Sequence, residues 1–248
     1  MAQLFKPAAN TIATASLFAG ALAPFVIFLT GSQITRSSYN TKVDVPITQP
    51  APFSHKHHVA ELGIDCRFCH WTVEEGAAAS VPTTDVCMTC HSQIWTNSPL
   101  LEPVRKSWES NTPLQWNKVN SVPDFVYFNH SIHIARGVSC NNCHGAINEM
   151  EMTWKGNAFR MAWCLECHRE PEKFMFQPSE DTGLTPREQI FAMYKKLATG
   201  QHLSPVEEKL AEGLPQMVPN DKQHEGVALM KERGINKTQL MDCYVCHH

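Results

Sequence analysis

Five copies of the motif Cys-x-x-Cys-His account for every cysteine in this 248-residue chain. No cysteine is left over for a disulfide framework, which is the usual role of many cysteines in a small extracellular protein. The same short structure must therefore be built five times along the chain. The copies are Cys66/Cys69/His70, Cys87/Cys90/His91, Cys140/Cys143/His144, Cys164/Cys167/His168 and Cys243/Cys246/His247.

The motif predicts covalently attached c-type haem. Two thiols about one helical turn apart can add to the two vinyl groups of the porphyrin, and the histidine that follows then lies beneath the iron as its proximal ligand. Zinc is the alternative partner of Cys-x-x-Cys, but zinc ribbons pair such units and do not require a histidine after each one. Five motifs that all end in histidine therefore predict five covalently bound haem c groups.

The N-terminal segment predicts a membrane anchor. No charged residue lies between Lys6 and Arg36, and about 20 apolar residues in a helix span the hydrocarbon core of a bilayer. A cleaved signal peptide is the alternative, with a possible site after Ala23. Pro24 would directly follow that cut, however, and the apolar run continues beyond it. We expect residues 1–9 to be cytoplasmic, residues 10–32 to be a transmembrane helix and residues 33–52 to be a periplasmic linker.

Covalent haem attachment takes place outside the cytoplasm, so we expect the haem domain on the periplasmic side of the inner (cytoplasmic) membrane. The chain carries a formal net charge of −3 and only 18% charged residues, which argues against a nucleic-acid-binding protein. Residues 53–248 are expected to form one pentahaem cytochrome c domain. Its haem sites group as a pair in 53–95, a pair in 126–172 and a last site in 220–248.

The expected fold is mainly α with extensive loops, organised around the five haems. Apolar periodicity is weak, so the macrocycles take the place of a large conventional core. Two capped helices are predicted in the long haem-free stretch before the last site. They are Pro186 to Leu197 and Ser204 to Leu210, with Thr185 and Ser204 as the caps.

A repeat precedes the first and third haem sites. Phe53, His55 and His58 form the pattern Phe-x-His-x-x-His before Cys66, and Phe128, His130 and His133 form it before Cys140. A Gly-plus-apolar pair then follows in each copy, Gly63-Ile64 and Gly137-Val138. The recurrence indicates a duplicated two-haem module.

The repeat resembles that of small tetrahaem cytochromes, in which the first histidine caps the haem that follows and the second caps a haem attached elsewhere. This resemblance implies that His55 caps the first haem and His130 the third, with His58 and His133 reaching other irons. His57 and His202 are expected to be ordinary histidines.

The distal ligand of the fifth haem stays open. His224 is favoured, because the segment that it begins echoes the one after His58. The terminal His248 is an alternative, and so is a methionine, which would raise the haem potential. The methionines that lie in or near haem-binding segments are Met150, Met152, Met161 and Met217.

The stretch 122–133, together with Gly137-Val138, residues 140–145 and residues 163–169, resembles the pentahaem cytochrome c subunit of alternative complex III, a bacterial quinol:electron-acceptor oxidoreductase. The resemblance is strongest over about 122–171 and weak in 92–121 and 173–220. It implies a membrane complex with an iron–sulfur subunit, polysulfide-reductase-like multispanning quinol subunits and a monohaem cytochrome c.

The expected function is that of an electron-transfer subunit. Electrons would pass from a quinol-oxidising membrane complex, by way of an iron–sulfur subunit, through five haems to a periplasmic acceptor, with no catalytic site in this chain. One alternative is a small membrane-anchored quinol dehydrogenase cytochrome. A multihaem reductase is a further alternative, but such enzymes need an open iron position, often marked by lysine in place of the proximal histidine, and each motif here has histidine.

Overall fold

A computed structural model describes residue 6 and residues 8–175, 183–212 and 223–248. The chain divides into two compact units, Met1–Val43 and Asp44–His248. Helices dominate both, and no β-strand occurs in the described ranges.

The first unit is built on one long helix, α1 (Ala8–Arg36), followed by the short α2 (Ser38–Thr41). A helix of 29 residues is about 43 Å long, and its apolar side chains are exposed along its length, as at Leu17, Phe25 and Phe28. By length and composition α1 is able to cross a membrane. It contains the predicted segment 10–32 and continues to Arg36.

The second unit consists of short helices joined by loops. The α-helices are α3 (Cys66–Cys69), α4 (Thr84–His91), α5 (Glu102–Ser110), α6 (His130–Ala135), α7 (Cys140–His144), α8 (Met161–Arg169), α9 (Pro186–Ala198), α10 (Pro205–Glu212), α11 (Gln223–Glu232) and α12 (Lys237–Leu240). A π-helical segment spans Lys56–Glu61, and 3-10 turns span Trp71–Glu74, Pro99–Leu101, Ile147–Glu149, Pro171–Lys173 and Cys243–Val245.

The two predicted capped helices are present as α9 and α10. The Thr185 hydroxyl accepts from the Glu188 amide while the Glu188 carboxylate accepts from the Thr185 amide, and Pro186 takes the first helical position. Ser204 and Glu207 make the same reciprocal pair ahead of α10. Each such cap stabilises its helix by about 1 kcal/mol.

The main apolar cluster of the second unit is built by these two helices and the loop between them. It consists of Ile190, Met193, Tyr194, Leu203 and Leu210. Cys66 and Cys140 pack against this cluster from outside. The conventional core thus lies beside two of the haem-attachment motifs.

Residues 44–52, expected as part of an extended linker, belong to the second unit and pack against the rest of it. The Asp44 amide donates to the Lys155 carbonyl, the Ile47 amide donates to the Thr153 carbonyl, and Ala51 is buried. The backbone of this segment therefore finds partners in the loop that follows the third Cys-x-x-Cys-His motif.

Candidate haem sites

Three of the five Cys-x-x-Cys-His motifs begin a helical turn at their first cysteine, and the other two lie inside α4 and α8. In each of those three, the residue just before the cysteine caps the turn with its side chain. Asp65 accepts from the Arg67 amide, Ser139 from the Asn142 amide and Asp242 from the Tyr244 amide. Capping starts the helix at the cysteine, so both thiols and the histidine come from one local structure.

Two of the predicted attachment thiols lie at the surface. Cys90 in the second motif and Cys243 in the fifth are exposed, whereas the other eight cysteines are partly buried. Cys90 is near the end of α4, while the Thr84 and Ser107 hydroxyls join α4 to α5 at the start of that helix, 2.6 Å apart. A haem attached through Cys90 would be covered by the chain on fewer sides.

Four motif histidines face a second histidine across a similar gap. The facing rings are too far apart for direct packing, and in each pair the second ring comes from a Phe-x-His-x-x-His repeat. The ring-centroid distances are 6.5 Å for His55 and His70, 6.3 Å for His58 and His91, 6.4 Å for His130 and His144, and 6.1 Å for His133 and His168.

This gap fits a metal held between two imidazoles. With nitrogen–metal bonds of about 2 Å on each side and the half-width of each ring added, the centroids lie roughly 6 Å apart. The ten thiols are free. Among the described residues, no group of three or more His, Cys, Asp and Glu side chains converges as a bare-metal site. The donor set of paired thiols and facing imidazoles fits c-type haem.

The Nδ1 atoms of these rings are engaged by the surrounding chain. His58, His130 and His133 donate from Nδ1 to the carbonyls of Ser54, Ala77 and Asn129 at 2.8, 2.7 and 2.7 Å. Among the motif histidines, His70 donates to Ser80 at 2.5 Å, His91 to Ile94 at 3.1 Å and His247 to Phe125 at 3.0 Å. These bonds fix the tautomer in which Nε2 is the free nitrogen.

Burial keeps several of these imidazoles neutral. Desolvation lowers the pKa of His55 and of His144 to about 4, and the neighbouring histidines lower it further in the same direction. Burial also lowers the pKa of His133, although its bond to the Asn129 carbonyl opposes the shift. Neutral imidazole is the form that binds a metal.

The phenylalanine of each repeat lies between its two histidines. Phe53 meets His55 edge-on at 5.0 Å and stacks on His58 at 4.5 Å. Phe128 does the same with His130 at 4.7 Å and His133 at 4.6 Å. The interplanar angles agree between the copies, 88° for the edge contacts and 21° and 27° for the stacks. The phenylalanine ring therefore holds the two histidines of its repeat in different orientations, so that each faces the motif histidine of a different site.

The two repeats hold each other's first histidine. In one direction, the Ala77 carbonyl, from the loop after the first motif, accepts from both Nδ1 and the backbone amide of His130. In the other direction, Thr153, from the loop after the third motif, bonds His55 Nδ1 at 3.1 Å. The sequence repeat predicted two modules but carried no sign of this exchange.

Neighbouring motifs also meet through their cysteines. The thiols of Cys66 and Cys140 lie close enough for each to shift the pKa of the other, which places the first site beside the third. Cys164 and Cys246 are close enough to interact electrostatically, and the Leu240 backbone lies near enough to the His168 ring to oppose the lowering of its pKa by burial, which places the fourth site beside the fifth. With His55 and His58 linking the first two sites and His130 and His133 the next two, the sites contact one another in the order second, first, third, fourth, fifth.

The fifth site differs from the other four. His247 lies against Phe125, whose ring centroid is 5.9 Å away, and His248 stacks on Tyr127 at 4.1 Å. In the described part of the chain no histidine ring faces His247 in the manner of the other pairs. His224 is exposed on α11.

The remaining candidates have varied surroundings. Met150 is buried at 1% exposure, Met152 and Met161 are exposed, and Met217 lies outside the described residues. His57 pairs with Glu61 at 2.8 Å, and His202 is exposed. These two histidines are not brought to a motif histidine.

Comparison with known proteins identifies relatives among multihaem cytochromes. Residues 126–186 match the family described as cytochrome c7 and related cytochrome c. The chain is also 37% identical over 97 residues to the multiheme cytochrome c subunit of menaquinone reductase from Nitratidesulfovibrio vulgaris (strain Hildenborough). That alignment covers 39% of this chain and 45% of the relative, so less than half of the relative's length is matched. The chain contains a cytochrome c7-like multihaem domain, of the kind that binds haem covalently and transfers electrons.

Proposed function

We propose that this chain is the membrane-anchored electron-transfer subunit of a quinol-linked respiratory complex and holds five haem c groups. The observation that carries the proposal is the set of four imidazole pairs, each set about 6 Å apart as two ligands of one metal would be. Bound c-type haem supplies reversible one-electron transfer.

Each part of a site has its own task. The two cysteines would attach the macrocycle and the histidine of the motif would be one iron ligand. His55, His58, His130 and His133 would each be the second ligand of one iron. The carbonyls on Nδ1 orient the rings and raise their basicity. Two histidine ligands would leave no open position for substrate on those four irons, which favours a carrier over a reductase.

A test of ligation is the response of the reduced protein to carbon monoxide. We expect at most the fifth haem to bind it, because the other four have a facing imidazole. The visible spectrum of the full chain in detergent should therefore change by at most one fifth of the signal expected for open haem. Binding at two or more haems would favour the reductase alternative.

The order in which the haem sites contact one another supports a linear series, with the second site at one end and the fifth site at the other. Exposed residues lie at both ends. Cys90 and Trp95 are exposed beside the second site, where Trp95 stacks near His57, and Cys243 and Tyr244 are exposed in the fifth motif. We propose that one end receives electrons from a partner and the other delivers them.

We propose that the partners are those of an alternative complex III. An iron–sulfur subunit would donate, polysulfide-reductase-like multispanning subunits would oxidise quinol, and a monohaem cytochrome c or another small carrier would accept. In this proposal α1 anchors the chain in the inner membrane, with the haem domain on the periplasmic side. The length of α1 and its apolar composition, with no charged residue before Arg36, support an anchor.

Purification of the native complex from solubilised membranes tests the partners. We expect a large iron–sulfur protein and multispanning subunits to co-purify with the haem-staining chain, and added quinol to reduce its haems. A haem protein that purifies alone and is still reduced by quinol would be a small quinol dehydrogenase instead.

A second candidate is the same subunit working in the opposite direction. The relative from Nitratidesulfovibrio vulgaris belongs to a menaquinone reductase. In the second candidate, this chain would send electrons from a periplasmic donor towards quinone. Rapid mixing of the complex with quinol, and separately with a reduced periplasmic cytochrome, distinguishes the two. Fast reduction of the haems by quinol supports quinol oxidation, and fast reduction by the cytochrome alone supports quinone reduction.

A further inference from the structure

Helix α9 extends from one repeat to the other. Its 13 residues make a rod about 20 Å long. The first residue, Pro186, lies against Gly137 of the second repeat, and the last, Ala198, lies against Gly63 of the first. A Cβ atom on Gly137 would come within 3.1 Å of the Pro186 Cβ, and one on Gly63 within 3.3 Å of the Ala198 Cβ. Equivalent positions of the duplicated module therefore hold the two ends of one helix.

Between those ends, α9 contacts the residue after the first cysteine in two motifs. The Arg67 guanidinium lies over the Phe191 ring, 4.1 Å from its centroid. Three residues further along α9, Tyr194 donates from its hydroxyl to Asn141 Oδ1 at 2.8 Å and accepts from the Asn141 amide at 3.2 Å. Residues three apart lie on the same helix face. One face of α9 therefore contacts both the turn that contains Cys66 and the turn that contains Cys140.

The Tyr194 contact is fully enclosed. Asn141 is 0% exposed and also donates from Nδ2 to Asn148 Oδ1 and to the Ala211 carbonyl. The Tyr194 hydroxyl further contacts the Cys140 side chain. Removal of that hydroxyl would leave the buried backbone amide and Oδ1 of Asn141 each short of a hydrogen-bond partner. Water entering the contact would then be favoured, because it could bond these two groups.

The point where α9 acts is the contact between the two modules. Cys66 and Cys140 lie close to each other there, and both pack against the apolar cluster that includes Ile190, Met193 and Tyr194. This helix lies in the stretch where the resemblance to alternative complex III is weak, and nearly all of it follows the residues matched to the cytochrome c7 family.

We propose that α9 is a clasp that sets the first and third haem sites against each other and keeps water from the contact, with Phe191 and Tyr194 as positioning residues for those two sites. The proposal rests on the proposed function only in requiring haem at Cys66/Cys69 and Cys140/Cys143. Hydrogen bonding and solvent access near a haem tune its reduction potential, so each positioning residue should affect one haem.

The test is a potentiometric titration of the full-length holoprotein and of three single variants. Tyr194→Phe keeps the ring and removes the hydroxyl, and Phe191→Leu keeps apolar volume and removes the ring under Arg67. Tyr39→Phe, at an exposed tyrosine of the first unit, is the matched control. Haem content by pyridine haemochrome is measured first, and it separates failure of the proposed function, seen as fewer than five haems in the unsubstituted chain, from failure of the clasp.

We expect each α9 variant to lower the midpoint of one haem by about a tenfold change in its reduction equilibrium, which is 59 mV for one electron. Water admitted to the contact stabilises the more charged oxidised centre. The two variants should affect different components, and Tyr39→Phe none. Loss of only one haem in Tyr194→Phe would also support the clasp. Unchanged midpoints, a common shift of all components or loss of every haem would overturn it.

Discussion

Imidazole has two nitrogens, and in this chain the nitrogen turned away from the gap has a defined partner at most of the paired histidines. The motif spacing was enough to predict that His70, His91, His144 and His168 bind haem. The partners of Nδ1 could not be predicted, because backbone carbonyls such as those of Ala77 and Ser80 have no sequence signature. The Phe of each repeat was visible in the sequence, but its place between two rings was not.

Replacement of His133 tests the ligand assignment at the fourth site. In His133→Ala one haem of the five should become high-spin with a raised potential, because the facing ring of His168 loses its partner. His57→Ala should leave the spectrum unchanged, since His57 pairs with Glu61 at the surface. Electron paramagnetic resonance of the oxidised protein measures the haem spin states in both variants. A high-spin signal in His57→Ala and none in His133→Ala would reverse the assignment.

Gly137→Ala tests the close contact at the start of α9. Gly137 has φ +81°, and an added Cβ would also meet the Arg233 guanidinium at 3.1 Å. Strain of this kind costs about 1–3 kcal/mol. Gly200→Ala shares the positive φ but has open space around it, so it should cost less. Thermal unfolding followed by circular dichroism compares the two, and an equal loss would mean that packing against α9 adds nothing.

At the scale of elements, the duplicated pattern predicted two like modules, and their aromatic contacts agree closely. Their backbones differ, since the first repeat continues as a π-helical segment, Lys56–Glu61, and the second as the α-helix His130–Ala135. The caps of α9 and α10 were readable because Thr-Pro-x-Glu and Ser-Pro-x-Glu place donor and acceptor three residues apart. The contacts of α9 with Arg67 and Asn141 were not readable, because those two residues lie far from the helix in sequence.

Phe128→Leu tests the role of the aromatic ring in a module. A branched aliphatic side chain fills much of the volume but cannot keep His130 and His133 at their two angles. We expect altered spectra for two haems, the third and the fourth, and little loss of haem. Phe53→Leu, the counterpart in the other module, should alter the first and second instead. Magnetic circular dichroism of both variants would reveal whether the two affected sets differ, and one shared set would contradict the module assignment.

At the scale of the whole molecule, the five motifs predicted a haem domain, the uncharged N-terminal segment predicted an anchor, and weak apolar periodicity predicted a small conventional core. The sequence also predicted the grouping of the first four sites into pairs. It could not predict that Ala77 bonds His130 of the other module, or that Thr153 bonds His55. Nor could it predict that Cys90 lies at the surface while Cys140 is partly buried. Such differences depend on where the loops go once the haem sites are formed, and no local propensity records that.

Removal of the anchor tests how electrons enter. A fragment that begins at Arg36, behind a cleavable leader, should still receive five haems, because each Cys-x-x-Cys-His lies downstream. It should be soluble and stain for haem. It should not be reduced by quinol, because electrons are proposed to arrive through a partner. Quinol oxidation by this fragment at the rate of the complete complex would instead favour the small quinol dehydrogenase.

The hold on Nδ1 has a consequence for how this protein can evolve. A carbonyl belongs to the main chain and is present whatever residue occupies the position, so substitutions at Ser54, Ala77 or Asn129 leave the acceptor in place. The orientation of those imidazole rings is therefore insensitive to substitutions at the residues that supply the carbonyls. His55 is different, because its Nδ1 meets a hydroxyl that only Thr153 or a serine there could offer. Natural variation at position 153 would thus change the hydrogen bonding of the proposed ligand at the first haem site and leave that of the other sites unchanged.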